Sequence, residues 1–261
     1  MMLAAARHAA ILALVRDKGT IRVAAVAPML DVSEITIRRD IDSLVYEGLL
    51  ERVYGGAKMP AALSADEPGF ERQEAEKEAI AREALSLVRP GAAIALSAGT
   101  TTLRLAKLLS TMPGITVVTN SVQIASVFYP SGTGIGSTTH VILTGGERTP
   151  SDALVGPTAI SAIRQFHLDT LFLGVHGMDE HAGFTTPNIH EAETNRAFLE
   201  AAGRVVVLAD HTKWGTVGMS AIAPLNAASV LITDDGLTQS ARDLLRDQVA
   251  ELRVAALRDK D

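Results

Sequence analysis

The chain has 261 residues, 47% hydrophobic and 21% charged, enough for two domains with separate cores and ordinary for a globular protein. It contains no cysteine, which excludes disulfides, thiolate zinc sites and cysteine nucleophiles, and aromatics at 4% leave the core to Ala, Val, Ile and Leu. The net charge of −6 is unevenly spread: residues 1–57 carry six Arg and one Lys against seven acids, a balance of zero, so the whole deficit falls on the remainder.

The opening MMLAAARHAAILALVRDKG has the outline of a signal peptide, but Arg7, Arg16, Asp17 and Lys18 interrupt it. No uncharged apolar run reaches the ~18 residues that a membrane helix needs. The stretch from about Ala4 to Asp17 therefore reads as an amphipathic helix of a cytoplasmic protein, with Ile11, Leu12, Leu14 and Val15 as its apolar face and Gly19 as its stop. A short second helix falls between Val23 and Leu30. Pro28 lacks a backbone donor and disfavours helix before it, so a late start near Ala27, with Pro28 in the first turn, is expected.

A third helix starts after Ser33, whose hydroxyl can accept an orphan backbone N–H. Ile37, Ile41, Leu44 and Val45 form its buried stripe, which leaves Arg39 projecting opposite and Ile35 outward, with Thr36 and Arg38 on the flanks. Gly48 ends the helix, and Leu49–Val53 with Gly55-Gly56 reads as a hairpin wing. A turn, a capped helix with an Arg pair and a wing, in that order, suit insertion into a groove of double-stranded DNA. The first turn, Ser33, Glu34, Ile35 and Thr36, would lie nearest the bases. Arg38 and Arg39 can donate to guanine O6 and N7 or to phosphate oxygens, while Arg52 and Tyr54 on the wing can lie along the backbone. The bland alternative is a solvated Arg pair bridging to Asp40 or Asp42. Because residues 1–57 are electrically neutral, DNA contact must rely on locally placed cations, and a homodimer or homotetramer would help.

The segment KMPAALSADEPG is small, Pro-containing and aperiodic, so residues 58–70 are expected to link residues 1–57 to a second domain over residues 71–261. That domain opens with a charged helix from about Phe70 to Val88. Apolar strands then alternate with helices: Ala93–Leu96, Thr116–Thr119, Val141–Leu143, Thr170–Leu173, Val205–Leu208 and Val230–Thr233. This alternation predicts an α/β fold with a parallel sheet. The segment Ser131–Thr139 reads as a flexible loop.

Ligands of open α/β sheets collect beyond the carboxyl ends of strands, and polar clusters recur there. In IALSAGTTTLRLAKLL a strand runs through Ser97 into Gly99, Thr100, Thr101 and Thr102 and then into a helix, an arrangement whose free N–H groups and dipole suit an anion. Asn120 ends the next strand, Gly145 and Gly146 end another and allow close backbone approach, and Asp179 and Lys213 follow later strands. His176 reads as a structural or rim histidine and Trp214 as packing. His190, Glu191 and Glu193 have no spaced partner set, so neither a metal nor a cofactor is expected.

Two stretches resemble the DeoR family of bacterial transcriptional regulators. Val32-Ser33-Glu34-Ile35-Thr36-Ile37-Arg38-Arg39-Asp40, then Gly48, then Arg52-Val53-Tyr54-Gly55-Gly56-Ala57 is similar to the family's helix-turn-helix and wing. Residues from about Glu71 to Leu237 resemble its sugar-sensing domain, with landmarks at Gly99-Thr100-Thr101-Thr102, Thr119-Asn120-Ser121, Gly145-Gly146, Gly183-Phe184-Thr185 and Ala209-Asp210-His211-Thr212-Lys213. The resemblance implies an N-terminal winged helix-turn-helix and a C-terminal domain similar in fold to ribose-5-phosphate isomerases and coenzyme A transferases. It also implies a repressor of carbohydrate-metabolism genes with two partners, operator DNA and a phosphorylated sugar effector. Three positions depart from the pattern: Pro28, Tyr54 where histidine is usual, and Ser97 where the family often has Asp. A serine can hydrogen-bond but cannot act as a carboxylate base, which counts against the rival reading as a sugar-phosphate isomerase.

Overall fold

The computed structural model describes residues 4–18, 20–30, 32–46, 50–53, 55–58, 73–129 and 139–257. The chain divides into two compact units, Met1–Arg72 and Gln73–Asp261.

The first unit contains α1 (Ala4–Lys18), β1 (Thr20–Arg22), α2 (Val23–Met29), α3 (Glu34–Tyr46), β2 (Glu51–Val53) and β3 (Gly56–Lys58). Its core takes Ile11 and Val15 from α1, Val23, Val26 and Ala27 from α2, and Ile37, Ile41 and Leu44 from α3, with Ile21, Leu50 and Ala57 from the strands. The i, i+4, i+7 spacing on α3 leaves its opposite face to solvent. The wing is larger than the hairpin expected: β1 adds to it antiparallel, in the order β1-β3-β2. Gly56 makes this possible, because a Cβ there would lie 1.8 Å from the Ile21 carbonyl oxygen.

The late start expected for α2 is corrected. The helix begins at Val23, directly after β1, and Pro28 lies inside it. Burying Val23, Val26 and Ala27 together requires the earlier start. The carbonyl that loses its donor to Pro28 is that of Ala24, which is exposed, so water can replace the bond. Gly19, Gly48, Tyr54 and residues 59–70 of the expected linker lie outside the described residues; Lys58 closes β3.

In the second unit, α4 (Glu74–Leu85) is followed by β4 (Ala93–Leu96), α5 (Thr100–Leu109), β5 (Thr116–Thr119), α6 (Val122–Val127), β6 (His140–Leu143), β7 (Glu147–Arg148), β8 (Leu154–Val155), α7 (Pro157–Ile163), β9 (Thr170–Gly174), β10 (Gly177–Asp179), β11 (Gly183–Thr186), α8 (Ile189–Ala201), β12 (Val205–Leu208), β13 (Ser220–Ala223), β14 (Val230–Asp234), α9 (Gln239–Gln248) and β15 (Leu252–Ala255). A seven-stranded sheet has the order β15-β14-β12-β9-β4-β5-β6, and every pairing in it is parallel. One face packs on Ile80 and Ala84 of α4, Leu105 and Leu109 of α5 and Ile124 of α6. The other packs on Ile163 of α7, Phe198 of α8 and Leu245 of α9. Burial on both faces explains why β9, β12 and β14 each carry three or more consecutive apolar residues. A small antiparallel sheet, β10-β11-β13, and the hairpin β7-β8 complete the unit.

The strand order fixes where a ligand can enter. After β4 the chain moves outward to β5 and β6; after β9 it moves the other way, to β12, β14 and β15. The connections after β4 and β9 therefore run in opposite directions from adjacent strands, and the crevice at such a switch point is the usual binding place in open α/β sheets.

Candidate nucleic-acid interface and strand-end site

Ser33 caps α3: its Oγ accepts the Thr36 N–H at 3.2 Å and lies 2.9 Å from Thr36 Oγ1. Ile35, at 65% exposure, stands out from the first turn. Arg38 pairs with Glu34 one turn back at 3.1 Å, and Arg52 of the wing pairs with Asp42 at 2.8 Å. These pairs are exposed and weak, so phosphate can replace the carboxylates. Arg39 is exposed and, among the described residues, makes no ion pair. The alternative in which the Arg pair bridges to Asp40 does not occur, since Asp40 is buried against α1. It accepts from Arg7 Nε at 2.8 Å and Nη2 at 3.0 Å, with His8 Nε2 at 3.2 Å. Burial works to raise the Asp40 pKa, but hydrogen bonds and charge from Arg7, aided by His8, outweigh it and hold the carboxyl below its ordinary range. The face with Ile35, Arg38 and Arg39 is thus exposed, while the acid between helices serves as an anchor.

At the switch point of the second unit, the turns after β4 and β9 meet. The Gly174 N–H donates to Ser97 Oγ at 2.9 Å, and a Cβ on Gly99 would sit 3.8 Å from the Gly174 Cα. The Ala98 N–H donates to Asn120 Oδ1 at 2.9 Å, which ties in the turn after β5, and Asn120 Nδ2 donates to the Leu154 carbonyl at 3.1 Å. Ser97, Gly99, Thr100, Thr101, Thr102 and Asn120 are therefore brought together. Their side chains are not all available. Ser97 is 1% exposed, Asn120 is 2% exposed with its amide committed to the backbone, and Thr102 Oγ1 turns inward toward the Ser97 and Gly99 carbonyls.

What the turn does offer is backbone. No side chain caps α5, whereas Ser121, Asn188 and Thr238 cap α6, α8 and α9. Among the described residues, no protein acceptor meets the N–H groups of Thr100, Thr101 and Thr102. Orphan donors at a helix N-terminus, with the dipole behind them, attract anions.

Arg104 brings a positive charge to this turn, its Nη1 donating to the Thr100 carbonyl at 2.8 Å. Lys213 lies in a 3-10 turn, His211–Lys213, capped by Asp210. Lys77 on α4 is 5% exposed; burial pushes its pKa below the ordinary lysine value, as do the charges of Arg104 and Lys213, against the pull of Asp210 and Glu74. His176, at the end of β9, is held below its ordinary pKa by partial burial and by Lys213, against Glu191. Lys77 is thus within electrostatic reach of Arg104 and Lys213, and His176 within reach of Lys213 and Glu191. Glu191, in the first turn of α8, accepts from Thr149 at 3.1 Å, from Thr186 at 3.1 Å and from Ser151. It ties α8 to the β7-β8 hairpin and to the end of β11. Sequence reading missed Lys77 and Arg104, because each sits in a helix whose charged residues look like a solvated face.

Among the described residues, Gly145, Gly146 and Asp179 make no hydrogen bond to the α5 turn. Gly145 and Gly146 follow β6, with φ of 71° and 119°, and a Cβ on Gly146 would lie 2.5 Å from the Val155 carbonyl oxygen. That close approach is to β8. Asp179 closes the tip of the β10-β11 hairpin, where its Oδ1 accepts the His181 and Ala182 N–H groups, both at 2.9 Å, which lower its pKa. Among the described residues, no group of His, Asp or Glu could hold a metal ion, and no helix is long and apolar enough to cross a membrane.

Residues 7–62 match the DeoR-like helix-turn-helix domain, and residues 72–235 match the DeoR C terminal sensor domain. The chain belongs to the DeoR family. It is 35% identical over 259 residues to the uncharacterized HTH-type transcriptional regulator YgbI of Escherichia coli strain K12, covering 97% of this chain and 99% of that one. It is 29% identical over 252 residues to the glycerol-3-phosphate regulon repressor of the same organism, with 95% and 98% covered. Among solved structures, ribose 5-phosphate isomerase A of Methanocaldococcus jannaschii aligns with a TM-score of 0.40 at 16% identity, over 54% of this chain and 55% of that one. This DeoR-family protein is accordingly a DNA-binding transcriptional regulator, and its relatives are named as regulators and repressors, not as enzymes. Its first unit carries the helix-turn-helix and its second is the sensor.

Proposed function

We propose that this DeoR-family protein represses carbohydrate-metabolism genes and leaves its operator when a phosphorylated sugar or a close derivative binds the sensor unit. The observation that carries the reading is the uncapped N-terminus of α5, at the topological switch point, with Arg104 bonded to the Thr100 carbonyl and Lys77 within electrostatic reach of Arg104 and Lys213. The phosphate would sit on the N–H groups of Thr100, Thr101 and Thr102. The hydroxyls of the sugar would meet Lys213, His176 and the Glu191 cluster. Asn120 and Ser97 would hold the turn rather than touch the ligand. The glycerol-3-phosphate repressor among the relatives supports a phosphorylated polyol as the class of effector.

On the DNA side, Arg39 would read base edges while Arg38 and Arg52 exchange their carboxylates for phosphates. The neutral charge of residues 1–57 favours symmetric copies acting together. Moving operator occupancy from 99:1 to 1:99 requires the effector to prefer the released state by ~10⁴-fold, about 5.5 kcal/mol, which several sites per oligomer can share.

A thermal-shift screen of the full chain against phosphorylated sugars and their unphosphorylated parents tests the reading. Stabilisation confined to phosphorylated compounds, and reduced by Lys213→Ala, is expected. Equal stabilisation by the unphosphorylated parents would remove the phosphate site.

A further inference from the structure

Arg104 stands where the α5 turn meets the first helix of the sensor unit. Its Nη1 donates to the Thr100 carbonyl oxygen at 2.8 Å, which folds the guanidinium back along the opening turn of α5, and its Nη2 pairs with the Glu74 carboxylate. Arg104 is 14% exposed and Glu74 54% exposed, so the guanidinium is walled in and the carboxylate reaches it from solvent. Glu74 is the first residue of α4, and Lys77 follows three residues later on the same helix. Both Glu74 and Arg104 act on the charge of Lys77, which places all three in one electrostatic cluster.

A dianion seated on the Thr100–Thr102 N–H groups would lie beside a guanidinium already oriented toward that turn. It carries more charge than a carboxylate and accepts the same forked donors. The carboxylate competes for one of those donors and is held only by a partly exposed pair.

We propose that Arg104 is an effector-binding residue held in reserve by Glu74, and that a bound phosphate takes the guanidinium over and releases the first turn of α4. The proposal rests on the reading of the α5 turn as the phosphate site. Its consequence is directional. The sensor unit begins at Gln73, so the turn that is released is the one joined to the chain leading to the DNA-binding unit. By linkage, whatever strengthens the Glu74–Arg104 pair must weaken phosphate binding by the same factor.

The test uses the full chain with inorganic phosphate at pH 8 as the probe. Phosphate binding is measured by calorimetry, and amide exchange is followed in the first turn of α4, where the Lys77 N–H donates to the Gln73 carbonyl at 2.9 Å. Glu74→Gln, at an exposed position, should tighten phosphate binding by about two- to five-fold, the range an exposed ion pair can supply. Arg104→Gln should weaken it by about tenfold or more. Phosphate should speed exchange at Lys77 in the native chain, whereas in Glu74→Gln exchange should be fast from the start and indifferent to phosphate. If phosphate binds and Lys213→Ala weakens it, yet Glu74→Gln changes neither affinity nor exchange, the handover is wrong and the phosphate site stands. If phosphate binds neither the native chain nor Glu74→Gln, the phosphate site itself is wrong and the handover falls with it.

Discussion

Arg7 on α1 grips Asp40 on α3 with two hydrogen bonds, Nε to Oδ2 at 2.8 Å and Nη2 to Oδ1 at 3.0 Å, immediately beside the residue expected to read DNA. The carboxylate is 8% exposed, so replacing it with an amide leaves Arg7 and His8 facing a weaker acceptor. Asp40→Asn should lower the melting midpoint of the DNA-binding unit and reduce operator affinity, although Asp40 is turned toward α1 rather than the exposed face of α3. Circular dichroism melts and DNA anisotropy check this; an unchanged midpoint would show that the apolar core alone sets the angle of α3. The pair also has a pH signature. The folded pKa of Asp40 is depressed, so its stabilisation is present above the ordinary carboxylate pKa and is lost as pH falls through the folded value. The DNA-binding unit should accordingly lose stability below about pH 4, and Asp40→Asn should flatten that loss.

Arg39 should be the costliest single cation on α3. Arg38 and Arg52 must first give up Glu34 and Asp42, whereas Arg39 has no carboxylate partner among the described residues. Arg39→Ala should cost about 1–3 kcal/mol of operator binding and leave the effector response intact. An equal loss on operator and random DNA would assign Arg39 to phosphate rather than to a base.

Two glycines that look alike in sequence should behave differently. Gly146→Ala forces a Cβ to 2.5 Å from the Val155 carbonyl at a φ of 119°, and should destabilise the sensor unit by on the order of 1–3 kcal/mol. The backbone at Gly99 is extended, and the nearest atom to a Cβ there is Thr102 Oγ1 at 3.1 Å. Gly99→Ala should shift stability by less than about 1 kcal/mol while weakening anion binding, because the methyl fills the approach to the α5 turn. Thermal melts with and without phosphate separate the two. A large stability loss in Gly99→Ala would contradict the assignment.

This contrast shows what the sequence made legible. The strands β4, β5 and β12 stand out as apolar runs, and the buried stripe of α3 fixes its exposed face. β15 was missed because Arg253 interrupts its run; in the fold that side chain is held at the sheet edge by Glu251 and Glu83. β10, β11 and β13 are three or four residues each, too short for periodicity to register. Lys77 lies in EAEKEAIAREAL, where every charge looks solvated, and only the packing of α4 against α5 and the sheet reveals its burial. Pro28 lies inside α2 because the core that this helix fills outweighs local propensity.

Anion affinity should rise as pH falls. Burial and neighbouring cations depress both Lys77 and His176, and a bound anion favours their charged forms. His176 is largely neutral in the free protein near pH 7, so binding an anion should draw a proton onto it. Sulfate, doubly charged throughout the range, should bind more tightly at pH 5.5 than at pH 8, and His176→Gln should flatten the rise. A pH-independent affinity would place His176 outside the site.

The central claim is that a phosphorylated sugar in the sensor unit controls DNA binding by the other unit. It is tested most directly by fluorescence anisotropy of the full chain on labelled DNA from its own upstream region, titrated with a panel of phosphorylated sugars and their unphosphorylated parents. At least one phosphorylated member should release the DNA, its parent should not, and Lys213→Ala should bind DNA normally yet resist release. If the chain holds the DNA equally well with every member of the panel, or if the parent sugars release it as effectively, the claim is contradicted.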